Sequence, residues 1–79
     1  MSNKNNIIAE ISDKIFEKRT SLGLSQNDVA LEAGVDQGTV CQMEKVGCNP
    51  KLTTLVEVLY ALGLKLSIEE LKNEKQERL

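Results

Sequence analysis

Apolar residues recur along this chain with the spacing of short helices. After a polar, Asn-rich stretch over 1–6, expected to be a mobile lead-in, Ile8, Ile11 and Ile15 fall at i, i+3 and i+7. That spacing gives a helix one apolar face. This first helix is expected from about Ile7 to near Ser21, with Gly23 as its C-terminal breaker. Ser25 with Asp28 three residues on forms a variant capping box, and Val29, Ala30 and Ala33 share one side of the short helix that follows. Gly34 stops that helix. Asp36 is predicted to cap a third, whose inner face is Val40 and Met43. A turn over Gly47 to Pro50 leads into a fourth helix, where Leu52, Leu55, Leu59 and Leu62 make the clearest apolar stripe and Gly63 closes it.

Beyond Gly63 the period changes. Leu64, Lys65, Leu66, Ser67 and Ile68 alternate apolar and polar, as a strand does. Ser67 and Glu70 also form a capping box, so a charged helix from about Ile68 to Arg78 competes for the same residues. A lone strand leaves its backbone groups without partners, so the expected partner is the same strand of a second copy. The layout is one domain over 7–66 and a charged tail over 67–79, expected to be helical.

Composition narrows the chemistry. At 79 residues, with 41% hydrophobic residues but one Phe, one Tyr and no Trp, the chain has one modest core of Leu, Ile, Val and Ala. Two cysteines and no histidine exclude the common four-ligand zinc patterns, and neither metal nor cofactor is expected. No nucleophile sits beside a base and no glycine-rich loop could cradle phosphate, so no catalytic residue is assigned and an enzyme is the poorest reading. The start of the chain lacks a signal-peptide core and no apolar run nears membrane-spanning length, which points to a cytoplasmic protein without a membrane role. A net charge of −2 speaks mildly against nucleic acid, since phosphate contacts supply most non-specific affinity. Distribution matters more than the total. From Lys18 to Lys51, Lys18, Arg19, Lys45 and Lys51 balance Asp28, Glu32, Asp36 and Glu44, which predicts weak attraction per monomer and two monomers per site.

The informative stretch runs from Gln26 to Lys45. Two short helices meet at Gly34, in a turn too tight for a side chain at positive φ, and Ala30 is small where they must cross. Val29, Ala33, Val35, Val40 and Met43 face the rest of the domain; Gln37, Gly38, Cys41 and Gln42 are left facing outward.

Ser25-Gln26 through Ala30, Gly34-Val35, Val40 and Met43-Glu44 resemble the Cro/phage-repressor (XRE) helix-turn-helix family, from about Ile15 to Leu62. The resemblance implies an all-α, four- to five-helix, lambda-repressor-like DNA-binding domain. It pairs Arg19 with Glu44 as structural support, alongside Ala30 and Gly34. Leu52 to Leu55 and Leu64 to Ile68 are further similar to HipB-type antitoxins, whose added C-terminal strand pairs across a dimer.

The implied DNA contacts are Gln37, Gly38, Cys41 and Gln42 to base edges, where glutamine can bond adenine bidentately. Gln26, Thr39, Lys45, Lys51 and Thr53 are the implied phosphate contacts. Two positions depart from the family pattern: Gly38, where a larger polar residue is usual, and Asp36, which brings negative charge near phosphates. Cys41 has only Lys45 one turn on as a basic neighbour, so packing against DNA is favoured over a redox switch. The expected function is a sequence-specific regulator, a repressor binding double-stranded DNA as a homodimer. The alternative is an antitoxin that also captures a toxin protein.

Overall fold

The computed structural model describes residues 3–45, 49–68 and 70, with side chains from Ile7 onward. Among the described residues four helices follow one another: α1 (Asn3–Ser21), α2 (Gln26–Ala33), α3 (Gln37–Met43) and α4 (Leu52–Ala61). The described residues are all-α, as the family resemblance implies. The helix α1 starts at Asn3 rather than about Ile7, so most of the polar lead-in is helical. Polar residues extend a helix at little cost once its later turns are anchored by packing.

Each helix end has a local cause. Ser25 accepts from the Asp28 N–H at 3.0 Å while the Asp28 carboxylate accepts from the Ser25 N–H at 2.9 Å, so the capping box is closed in both directions. Gly34 takes φ 76°, which a side chain would disfavour, and its N–H reaches the Ala30 carbonyl at 2.8 Å. Asp36 stands at the head of α3 but makes no side-chain capping bond, which corrects the role expected of it. Its backbone carbonyl alone begins the α3 ladder.

One apolar core joins all four helices: Ile15 of α1, Val29 and Ala30 of α2, Val40 and Met43 of α3, then Val58, Leu59 and Leu62 from α4 and its end. Ile11, Leu24, Ala33, Val35, Leu55, Ala61 and Leu64 pack around it. The helix α2 lies against both α3 and α4, with Ala30 only 2% exposed. The leucine stripe of α4 needs one correction. Leu52 is 65% exposed, whereas Val58 is wholly buried. The inner face is Leu55, Val58, Leu59 and Leu62, at i, i+3, i+4 and i+7, which leaves Leu52 at the first turn pointing away.

After Gly63 the chain runs through 64–68 as neither helix nor strand. Leu64 docks on the core, Leu66 is 40% exposed and Ile68 is almost fully exposed. The expected strand is therefore not formed in a single copy, which offers it no ladder partner. The competing helix to Arg78 falls almost wholly outside the described residues, as does part of the Gly47 to Pro50 turn.

Candidate nucleic-acid interface

The helix α3 is divided lengthwise. Val40 and Met43 are sealed in the core, while Gln37, Gly38 and Gln42 are exposed and Thr39 and Cys41 half-buried. Burial thus turns one face of α3 outward, and that face carries two amides, a hydroxyl, a thiol and a glycine. Lys45, Lys51 and Thr53 are exposed at the end of α3 and the start of α4.

A chain of polar contacts fixes how α3 is held. The Arg19 Nε and Nη2 donate to the two oxygens of Glu44 at 2.6 and 3.0 Å, a bidentate pair whose side chains are only 12% and 6% exposed. Arg19 also donates through Nη1 to the Leu24 carbonyl at 2.8 Å, and its guanidinium lies 5.4 Å from the Phe16 ring centre. The hydrogen bond to Glu44, aided by its charge and opposed by burial, holds the Arg19 pKa still further above its already high value. One ion pair thus ties α1, the loop before α2 and the end of α3 together.

Two glutamines extend that chain to the surface. Gln26 Nε2 donates to Glu44 Oε1 at 3.0 Å, and Gln37 Nε2 donates to Gln26 Oε1 at 2.8 Å. The Gln37 amide is therefore oriented through Gln26 and Glu44 back to Arg19. Its oxygen and second N–H, and the second N–H of Gln26, make no bond within this chain of contacts. Sequence reading paired Arg19 with Glu44 but missed Gln26 as the link. The available signal was positional: Gln26 and Gln37 each stand first in their helices, directly after Ser25 and Asp36.

Beside this face lies an open hollow of about 400 Å³. Asp36, Gly38, Thr39 and Gln42 line its α3 side, and Asn49 and Pro50 line the other. Cys41 is a free thiol, half-buried on the same helix.

No helix among the described residues is long and apolar enough to cross a membrane. A helix-turn-helix family model matches residues 15–71, which contain the whole of α2, α3 and α4. An uncharacterized HTH-type transcriptional regulator of Haemophilus influenzae is 33% identical over 69 residues, covering 87% of this chain and 70% of that protein. With a fold, a turn at Gly34 and a polar outer face on α3 that all agree, the chain belongs to the XRE-type helix-turn-helix family.

Proposed function

We propose that the protein is a sequence-specific regulator of transcription that inserts α3 into the major groove of double-stranded DNA. The observation that carries this reading is the held amide of Gln37, which points away from the core and is braced through Gln26 to the buried Arg19–Glu44 pair. A base-reading group that is already oriented loses less rotamer freedom on binding. Gln37 and Gln42 are the direct readers of base edges, with Gly38 and Cys41 as the close-packed positions between them. The remaining N–H of Gln26, with Thr39, Lys45, Lys51 and Thr53, grips the backbone.

Two copies act together, each placing one α3 in successive major grooves about 34 Å apart on a near-palindromic operator. Repression follows from blocking polymerase access. The balance of charge supports the need for a pair, because a chain of net charge −2 draws little from general attraction to phosphate. The exposed Leu66 and Ile68 support 64–68 as the joining edge, each copy supplying the strand partner the other lacks.

Selection of bound duplexes from a random pool is the direct experiment. Enrichment of a two-fold symmetric sequence with half-sites one helical turn apart is expected, and it should survive a gel shift against competitor DNA. Absence of any enriched sequence would remove the regulator reading. Purification of the chain with a retained toxin protein would instead move it to an antitoxin.

A further inference from the structure

Two residues that depart from the usual helix-turn-helix pattern line the same hollow. Asp36 stands where its carboxylate would ordinarily cap α3, yet makes no side-chain bond to it. Gly38 lies within α3 at an ordinary negative φ, and a methyl group there would touch nothing within 4 Å. Glycine in an exposed helix costs stability that alanine would restore. No side-chain hydrogen bond to α3 calls for an aspartate at 36, and no close contact calls for a glycine at 38. Both line the space of about 400 Å³ between α3 and Asn49-Pro50, beside the outward amide of Gln42.

We propose that Asp36 and Gly38 act as one unit that reads the exocyclic amine of a cytosine in the major groove, an assignment that rests on the DNA-binding reading above. A carboxylate repels phosphate, so Asp36 suits a base edge rather than the backbone. Among base edges it suits the cytosine amine. Guanine offers only acceptors, thymine an acceptor and a methyl group, and adenine sets its N7 acceptor beside its amine. The aspartate side chain is short, so the base pair must come close to the α3 backbone. The missing side chain at Gly38 lets it approach. A larger residue at that position would hold the duplex away and leave the carboxylate out of reach.

Pool selection and quantitative binding with the whole protein, D36A and G38A test this. The wild type is expected to enrich a C·G pair at one position of each half-site. Both variants should bind the selected duplex about tenfold more weakly and lose the preference at that same pair, keeping the rest of the site. On a scrambled duplex D36A should bind as well as the wild type or slightly better, since a negative charge is gone. G38A should raise Tm by roughly 4–8 °C, which separates its loss of affinity from any loss of structure. The double variant should do no worse than either single one. Equal strengthening of D36A on both duplexes, an unchanged preference in either variant, or a lost preference at an A·T pair would each overturn the assignment. A wild type that enriches nothing would take the DNA-binding reading down with it, whereas an enriched site that D36A and G38A read unchanged would sink only this pairing.

Discussion

Glu44 serves two neighbours at once, accepting from Arg19 with both oxygens and from Gln26 with one. Replacing it with alanine strands a nearly buried guanidinium. Glu44→Ala should therefore cost about 3 kcal/mol in urea denaturation, and a loss below about 1 kcal/mol would show that Arg19 finds solvent easily. Outside the core the roles separate by chemistry. Gln42→Ala should weaken binding to the selected duplex and relax its sequence, whereas Lys51→Ala should weaken all duplexes alike and reduce the salt slope by about one. Equal losses on every duplex for both would contradict that division. The Arg19–Glu44 pair was legible in the sequence because the family motif fixes it. The bridge through Gln26 was not, because a glutamine at a helix start reads equally well as solvated surface.

Among the helices, α2 has the best-defined start. Ser25→Ala should cost about 1 kcal/mol at neutral pH by removing the acceptor for the Asp28 N–H. The bond from the Ser25 backbone N–H, reinforced by its side chain, lowers the Asp28 pKa. A carboxylate depressed in the folded state stabilises above its unfolded pKa, about 3.9, and that share is lost as pH falls through the lower folded value. Asp28→Asn should accordingly flatten the fall in stability below about pH 4; an unchanged acid limb would mean the box contributes nothing there. Residues with short-range causes, such as the Ser25 box and the Gly34 stop, could be read from spacing alone. Those set by packing could not. Leu52 and Val58 exchange roles because the angle at which α4 meets α2 decides which side of an apolar helix is covered, and a stripe count does not contain that angle. Asp36 shows the same limit, since residue type allows a cap but backbone and neighbours decide whether it forms.

For the molecule as a unit, the property to test is pairing. Leu66 and Ile68 are exposed in one copy, so charging them should not disturb the core. The double variant Leu66→Glu with Ile68→Glu should keep its Tm as a dilute monomer, sediment as a monomer, and lose affinity for the two-half-site operator while retaining weak binding to a half-site. A variant that stays dimeric would place the joining surface elsewhere. The fold itself was largely visible in the chain, because glycines at turns and helical periods agree. Assembly was only hinted at, since one sequence records an edge but not what meets it. The run from Arg19 through Glu44 and Gln26 to Gln37 also constrains how such a protein can evolve. A new side chain at Gln37 loses its anchor unless Gln26 changes too, and a new Gln26 disturbs Glu44. Operator preference at that step should shift by linked replacements, while Gln42, outside this chain of bonds, is free to drift alone.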